Sequence, residues 1–515
     1  MKKYVLLISL ALTVAACSVN PVTGESEFSL LSMDAEVAVG ETNYLPTRQA
    51  QGGDYRVHPH IQRYINDVGR RLVKVADNAE LPYEFVVINN SVPNAWALPG
   101  GKIALNRGLL MHLKDESQLA AVLAHEIVHA AARHGASQQT RGALLQLGAN
   151  ALQAGAAGQP FQRVAELATS LGGSAWLAKY SRKDELEADL HGMRYMHRAG
   201  YEPVAAVELQ QTFLALNGSD KSQKTHWFGE LFASHPPSSK RVAANQATAR
   251  KLGSGSRYTE RYERMIAPLK VDALAYRAAR DADRALAKNA PDKALALLDQ
   301  AVSIQPEESI FWRLRGDAWR QLKNLHNAEL AYTTAITKNS IFYLNFLARG
   351  ELRYDQGQTD AALADIQQSY DLLPTERASY YLGIVARDQG QLRRAKMHLQ
   401  AASAQPSALG KRAQRALINL YLESAPQQLF NVSVLRTEQG SVRVQLQNTA
   451  PVALLVERLQ IEDPRPGIRW ARRIDMAIAL PSGASTTFDI GDPVAETMPP
   501  APLLAAKVVV ASLVE

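Results

Sequence analysis

The chain has 515 residues, a hydrophobic content of 46%, a charged content of 21% and a formal net charge of +7. This length exceeds what one hydrophobic core supports, so we expect several domains, and the composition excludes a largely disordered chain. The charge is small for the length, and no basic run is interleaved with aromatic residues, so the sequence gives no basis for a nucleic-acid partner.

The N-terminus has the pattern of an export signal. Two lysines precede an apolar stretch from Tyr4 to Val14, and two alanines then precede Cys17, the only cysteine. The stretch is too short to span a bilayer, and VAAC resembles the lipobox of bacterial lipoproteins. We predict a signal peptide at 1–16 and a lipidated Cys17, with a buried structural cysteine as the alternative. Ser18 favours, by resemblance to Gram-negative lipoproteins, a periplasmic location with a lipid anchor in the outer membrane.

Residues 17–268 mix helical and strand patterns and therefore predict an α+β domain. The segment HPHIQRYINDVGRRLVKVAD has helical spacing, and buried strands are predicted at Tyr83–Asn89 and Lys102–Asn106. The turn residues of NSVPNAWALPGG separate these two strands.

Residues 271–427 are helical throughout, and small residues recur at spacings of 34 and 33. The recurring residues and the prolines that close the second helices are Gly316, Gly350, Gly383, Ala328, Ala362, Ala395, Pro306, Pro374 and Pro406. Small residues allow two helices to cross closely, and proline stops a helix, so the period has a mechanical cause. The pattern resembles tetratricopeptide repeats and predicts an all-α solenoid with a concave surface for proteins or peptides. Chance similarity among alanine-rich helices is the alternative.

Residues 429–515 alternate apolar and polar positions in six short segments, which are separated by Gly, Pro, Asn and Asp. This spacing predicts a small, C-terminal, all-β sandwich. The sequence assigns no function to it.

One apolar segment, LAAVLAHEIVHAAARHG, carries two histidines and a glutamate. His125 and His129 are four residues apart on a predicted helix, so both imidazoles project from one face and can bind one cation. Glu126 lies next to the first histidine and can reach a metal-bound water without being a ligand. The pattern predicts a zinc site with Glu126 as the general base. The alternative is that both histidines are structural core residues with satisfied hydrogen bonds, but burying them without hydrogen-bond partners is costly.

A catalytic zinc needs a third protein ligand. His134 lies nine residues after His125, not the ten of the HExxHxxGxxH pattern, so we do not predict it as a ligand. In YSRKDELEADLHGMRY, Glu185 and Asp189 share a helical face, whereas Glu187 points roughly 200 degrees away. Glu185 can complete the ligand set, and Asp189 can assist catalysis by accepting an imidazole N–H and fixing its tautomer. A charged, solvated helix face is the alternative.

Three blocks, NAWALPGGKIALN, HEIVHAAARHG and SRKDELEADLHG, resemble in this order the gluzincin peptidases related to the CAAX prenyl endopeptidase and the heat-shock peptidase HtpX. The resemblance implies a zincin-like domain with one Zn²⁺ per chain, held by His125, His129 and Glu185, with Glu126 as the base. It also places His235, in FASHPPSSKR, near the zinc. We hypothesise that His235 is a regulatory fourth ligand that keeps the enzyme latent, and a histidine that only orders the turn is the alternative.

Two features depart from this family. Its membrane-spanning members have helices after the HExxH helix, whereas residues 142–162 here contain glutamines, glycines and a proline and make a poor bilayer span. We interpret this segment as amphipathic or lid helices near the site. The second departure is the C-terminal sandwich, which the resemblance does not supply.

Zincin clefts commonly bind substrate as an added strand, and the turn after NAWAL predicts an exposed edge for that purpose. This edge consists of Asn94, Ala95, Trp96, Ala97, Leu98, Pro99 and Gly100. Backbone pairing reads few side chains, so the expected substrates are unfolded or unassembled polypeptides. The chain also resembles lipoprotein members of this peptidase family that carry tetratricopeptide repeats. This resemblance implies that the repeats engage outer-membrane proteins or their assembly machinery. The alternative function is a chaperone or assembly scaffold whose metal site is largely latent.

Overall fold

The computed structural model describes residues 17–29, 31–140, 180–218, 228–436, 442–463, 465–466, 471–489 and 504–514. The predicted signal peptide and the predicted lid helices at 142–162 lie outside these residues. Within the described ranges, no helix combines the length and the apolar character that crossing a bilayer requires. The chain divides into two compact units: Met1–Leu352 with Asp371–Leu373, and Arg353–Tyr370 with Pro374–Glu515. The predicted domain bounds stay predictions.

The first unit contains a short N-terminal hairpin and a three-stranded sheet. The hairpin joins β1 (Cys17–Val19) to β2 (Ser26–Phe28), and the sheet has the order β3-β5-β4. The sheet strands are β3 (Glu84–Ile88), β4 (Ala95–Leu98) and β5 (Lys102–Asn106). The outer strand β3 is parallel to β5, and β4 is antiparallel to it. The apolar runs predicted as buried strands therefore form the sheet at nearly the expected bounds.

Helices cover this sheet and form the rest of the first unit up to the repeats. They are α1 (Met33–Ala50), α2 (Pro59–Val73), α3 (Arg107–Leu110), α4 (Glu116–Ala131), α5 (Arg182–Arg198), α6 (Val204–Gly218), α7 (Gly229–Ser234) and α8 (Ser239–Leu252). One hydrophobic cluster includes side chains from α2, the sheet, α4, α5 and α6. Helix α4 lies inside this cluster: ten of its sixteen residues are apolar, and every residue except His125 is buried.

Helix pairs follow in both units. They are α9 (Thr259–Ala287), α10 (Pro291–Ile304), α11 (Ser309–Gln321), α12 (Leu325–Lys338), α13 (Tyr343–Asp355), α14 (Thr359–Leu372), α15 (Glu376–Asp388), α16 (Leu392–Ser403) and α17 (Ala408–Ser424). The recurring small residues lie where helices of a pair cross. A Cβ at Gly316 would overlap the Tyr332 ring, and one at Gly383 would lie 2.7 Å from Leu399 Cγ. This packing agrees with the prediction of a helical-repeat region in which small residues let paired helices cross closely.

Buried polar groups join the sheet of the first unit to its first helix pairs. Asn89, which follows β3, donates through Nδ2 to Glu308 Oε2 at 2.8 Å, and the Tyr276 hydroxyl of α9 donates to the same oxygen. The Arg107 guanidinium donates to Asn89 Oδ1 at 2.8 Å and lies over the Tyr276 ring. Removing one partner from such a buried network leaves the others unsatisfied, so the first repeats stabilise the sheet.

The C-terminal part of the second unit consists of two antiparallel sheets of three strands each, in the orders β10-β7-β6 and β11-β8-β9. The strands are β6 (Phe430–Arg436), β7 (Val442–Asn448), β8 (Leu454–Glu462), β9 (Ala471–Leu480), β10 (Ser485–Asp489) and β11 (Ala505–Leu513). Their inward side chains form one hydrophobic cluster. Each of the six predicted strand segments overlaps one of these strands.

Candidate metal centre

Helix α4 presents the predicted metal ligands. Its N-cap, Asp115, accepts a hydrogen bond from the Gln118 amide at 2.9 Å, which fixes where the helix begins. Helix α5 packs closely against it at Gly192, where a Cβ would lie 3.2 Å from the backbone nitrogen of His125. This close approach brings the acidic face of α5 to the imidazoles of α4.

Four side chains form a group, the convergent group, whose ligand atoms meet at one point. His125, His129, Glu185 and His235 each offer one ligand atom, and these atoms all lie within 4.8 Å of one another. His125 Nε2 lies 3.0 Å from His129 Nε2 and 3.2 Å from His235 Nδ1. Glu185 Oε1 lies 3.4 Å from His129 Nε2 and 3.0 Å from His235 Nδ1. The structure therefore brings together the three predicted ligands and the predicted fourth.

The charges around this point fit a divalent cation. Glu126, Glu185 and Asp189 are buried carboxylates, and Arg241 is the guanidinium that pairs with two of them. With neutral imidazoles, three negative charges face one positive charge, so a divalent cation would balance the cluster. Among the described residues, no group donates a hydrogen bond to the buried Glu126 Oε2. Imidazole nitrogens with a carboxylate oxygen form a donor set that suits zinc.

Burial and neighbouring charges set the protonation of these groups. Burial raises the pKa of Glu126 above the ordinary glutamate value, and burial lowers the pKa of His129 well below the ordinary histidine value. Burial also opposes ionisation of Glu185, but His235 and the hydrogen bond with His129 hold the pKa of this carboxyl well below its usual range. A carboxylate and a neutral imidazole are the forms that bind a metal.

Asp189 holds one of the imidazoles. Its Oδ1 lies 3.0 Å from His125 Nδ1, so it can accept the Nδ1–H and leave the Nε2 lone pair directed at the convergent group. Arg241 donates from Nε and Nη2 to the two oxygens of Asp189, both at 2.7 Å, and its Nη1 lies 2.6 Å from Glu185 Oε2. Arg241 was not predicted as a site residue, although it lies in the segment FASHPPSSKR that holds His235.

Two further side chains contact His129. The Tyr180 ring stacks on its imidazole with centroids 3.7 Å apart, and His134 Nδ1 lies 2.9 Å from its Nδ1. His134 is outside the convergent group and contacts Glu187 through Nε2, at 3.2 Å. Glu187 was predicted to point away from Glu185. It contacts the site indirectly, through His134, on the Nδ1 side of His129. Sequence spacing gave no signal for either contact.

The predicted substrate edge differs from expectation in one respect. Strand β4 pairs only with β5 among the described strands, so it is an edge strand as predicted. All residues from Asn94 to Gly100 are nevertheless buried, so the edge is covered and not exposed as expected. The physical reason is tertiary packing, because α1 and α4 lie against this segment.

An open cleft, with about 590 Å³ of empty space that includes open solvent, lies beside the convergent group. Its polar lining consists of His125, Glu126, Asp189, Gln210, His235, Arg241 and Asn245. Apolar residues from four helices form most of the remaining wall: Leu109, Ala121, Val122, Met193, Met196, Leu209 and Phe213. The cleft can hold an apolar side chain next to the reactive groups.

Residues 59–249 match the model of peptidase family M48. This segment is a peptidase family M48 domain. The assignment confirms the resemblance given by the three sequence blocks and the predicted metallopeptidase class of the domain. Beta-barrel assembly-enhancing protease of Escherichia coli (strain K12) is 31% identical over 238 residues, which are 45% of this chain and 47% of that protein. Mitochondrial metalloendopeptidase OMA1 of Schizosaccharomyces pombe is 32% identical over 230 residues, 43% of this chain and 63% of that protein.

These similarities concern the M48 segment, and the match covers only about half of the bacterial relative. A solved structure of MamA from Desulfovibrio magneticus RS-1 is 18% identical and covers 29% of this chain and 84% of that chain, with a TM-score of 0.26. A TM-score this low adds nothing to the helix-pair geometry described above.

Proposed function

We propose that this chain is a zinc-dependent endopeptidase that acts on unfolded or unassembled polypeptides. The observation that carries the proposal is the convergence of His125, His129 and Glu185 on one point, with the Glu126 carboxylate beside them. These three ligands would hold one Zn²⁺ per chain. Membership of the segment in peptidase family M48 supports the same activity.

Glu126, Asp189 and Arg241 have different roles in the proposed hydrolysis. Zinc, when bound, would polarise the scissile carbonyl and activate a water. Glu126 takes the proton of the attacking water and delivers it to the leaving amine, and burial makes it a stronger base by raising its carboxyl pKa. Asp189 holds His125 in the tautomer that exposes its Nε2 lone pair, and Arg241 fixes Asp189 and Glu185 in place.

The substrate would be held in two ways. An apolar side chain would enter the cleft beside Glu126, and the peptide backbone would pair with β4, which has one side without a partner strand among the described strands. Because the residues of β4 are buried, that pairing requires the groups that cover β4 to move aside. A covered edge fits a peptidase that does not cleave folded neighbours at random.

His235 is proposed as the group that keeps the enzyme latent. Its Nδ1 lies 3.2 Å from His125 Nε2, within reach of the position that a catalytic zinc keeps open. Replacing His235 with Ala is expected to raise cleavage of an unfolded substrate. Unchanged or lower cleavage would support the alternative, that His235 orders the turn before α8.

The location proposed for the protein is the periplasmic face of the outer membrane of a Gram-negative bacterium, with a lipid on Cys17. There it would degrade misfolded outer-membrane proteins and assist their assembly, with the repeats engaging the assembly machinery. The bacterial relative named beta-barrel assembly-enhancing protease supports this proposal.

An assembly scaffold with a largely silent metal site is the second candidate, and the helix pairs favour it, since such pairs commonly bind proteins. A phenotype that survives Glu126→Gln in cells would support the scaffold. Deletion of whole repeats is a poor test, because Tyr276 and Glu308 stabilise the sheet through Asn89.

The proposed activity is tested by comparing the wild type with Glu126→Gln. Zinc content is measured by mass spectrometry, and cleavage is measured on unfolded casein. Because Glu126 is the base and not a ligand, the variant should keep zinc and lose cleavage by about 100-fold or more. Glu230→Gln, the same change at an exposed position of α7, is the control and should keep both. Wild-type cleavage by Glu126→Gln would refute the mechanism.

A further inference from the structure

The N-terminal hairpin contacts the back of the metal centre. Asn20 directly follows β1, and its buried side chain donates from Nδ2 to Glu187 Oε1 at 2.9 Å. Glu27, in β2, lies 3.3 Å from the same amide nitrogen and accepts a hydrogen bond from Ser137 at 2.7 Å. The hairpin thus connects the helix α5 to the segment that follows α4.

Glu187 continues this contact toward the metal centre. Its Oε1 lies 3.2 Å from His134 Nε2, and His134 Nδ1 lies 2.9 Å from His129 Nδ1. The side chains of Glu187 and His134 are 8% and 1% exposed, so water competes little for these hydrogen bonds. An unbroken chain of side-chain contacts therefore runs from Asn20 to His129.

The Glu187 carboxylate determines the direction of each hydrogen bond in this series of contacts. A carboxylate only accepts, so Glu187 selects the tautomer of His134 that carries its proton on Nε2. Neutral His134 then has a lone pair on Nδ1 and accepts from His129 Nδ1–H. A proton on His129 Nδ1 leaves the Nε2 lone pair free, and Nε2 is the atom that faces His125 and Glu185. The opposite tautomer would place a proton at the metal position.

We propose that the N-terminal hairpin is a positioning element of the metal centre: Asn20 orients Glu187, Glu187 fixes the tautomer of His134, and His134 holds His129 ready to bind metal. The inference rests on the proposed function, because it concerns the same metal site. It assigns Glu187 and Asn20 to the centre, and it makes the segment that directly follows Cys17 part of the peptidase. An anchor at Cys17 would then lie three positions before Asn20, and two side chains, Glu187 and His134, would connect Asn20 to His129.

Zinc affinity tests this role without reference to peptidase activity. The full chain is titrated with zinc in competition with a chromophoric chelator. Glu187→Leu removes the acceptor and should weaken zinc binding by roughly 10–100-fold, which is the usual cost of losing a partner behind a metal ligand. Glu187→Gln keeps a carbonyl acceptor for His134 and should restore most of the affinity. Asn20→Ala should weaken binding less than Glu187→Leu does.

A matched control separates positioning from packing. Lys183 pairs with Glu25 at 2.8 Å and joins the same helix to the same hairpin, but both side chains are mostly exposed. Lys183→Ala should leave zinc affinity unchanged. In the cobalt-substituted protein, the visible absorption bands should shift in Glu187→Leu and not in Lys183→Ala, because only the former releases His129.

The outcomes distinguish this inference from the proposed function. Wild-type zinc affinity and an unshifted cobalt spectrum in Glu187→Leu would overturn the positioning role, and the proposed peptidase would stand. A wild type that takes up no zinc would overturn both. Lower thermal stability of Asn20→Ala without any loss of zinc affinity would identify the hairpin as packing alone and would also overturn the inference.

Discussion

Arg241 is the side chain on which the charge balance of the metal centre depends, and Arg241→Met tests that balance. Methionine keeps much of the length and the apolar character of the arginine stem but removes the charge. The guanidinium makes three contacts of 2.6–2.7 Å with Asp189 and Glu185, and the exposed fraction of each of the three side chains is 5% or less. Removing one partner of a buried ion pair costs about 3–5 kcal/mol, because the remaining charges stay buried without compensation.

The expected loss for Arg241→Met is therefore about 3–5 kcal/mol in the free energy of unfolding of the first unit. For a unit of roughly 350 residues, such a loss lowers the melting temperature by roughly 5 °C. The assay is urea and thermal unfolding of the zinc-loaded protein, followed by circular dichroism. The control is Arg284→Met, which removes a largely exposed pair with Asp281 on α9 and should cost less than about 1 kcal/mol.

A double variant checks the cause. If the cost arises from uncompensated carboxylates, adding Asp189→Asn to Arg241→Met should cost much less than the two single changes summed. A loss below about 1 kcal/mol for Arg241→Met, with zinc retained, would refute the reasoning.

Three other predictions concern the same site. Removing zinc with a chelator should lower the melting temperature, and zinc at 100 times its dissociation constant should restore roughly 2.7 kcal/mol of stability; equal melting curves with and without zinc would contradict this. Cleavage requires ionised Glu126, and burial raises the pKa of this carboxyl, so cleavage should fall as the pH drops. The acid limb of the pH profile, measured by initial rates in the stable pH range, should lie above the ordinary glutamate value of 4.5. A limb at or below that value would argue against Glu126 as the base. Ala121→Phe places a ring in the apolar part of the cleft and should reduce cleavage of peptides with large apolar residues more than of peptides with alanine there; an equal reduction for both would exclude the cleft as the specificity site.

Local periodicity predicted the parts of the site that lie on one helix. His125 and His129 share a face of α4 because they are four residues apart, and Glu185 and Asp189 share a face of α5 for the same reason. The strands β3 and β5 and the six C-terminal strands were predictable because apolar runs and alternation are also local signals, whereas the short strands of the N-terminal hairpin were not predicted. These features required no knowledge of which segments meet.

Contacts between distant segments could not be predicted in this way. Arg241 lies 52 residues from Asp189, and its pairing depends on how α8 packs against α5. The role of His134 depends on Glu187, 53 residues away, and that of Tyr180 on its stacking against His129. The covering of β4 has the same origin, since a sequence shows that a strand ends a sheet but not what packs on it.

The metal content of the purified protein tests the central claim most directly. Protein prepared without chelators is analysed by mass spectrometry and by X-ray absorption at the zinc edge. One zinc per chain, with nitrogen and oxygen ligands at about 2.0–2.2 Å, is the predicted result, and Glu185→Leu should lower the zinc content. Protein that contains no transition metal, or that retains its zinc fully in Glu185→Leu, would contradict the assignment of His125, His129 and Glu185 as the metal ligands.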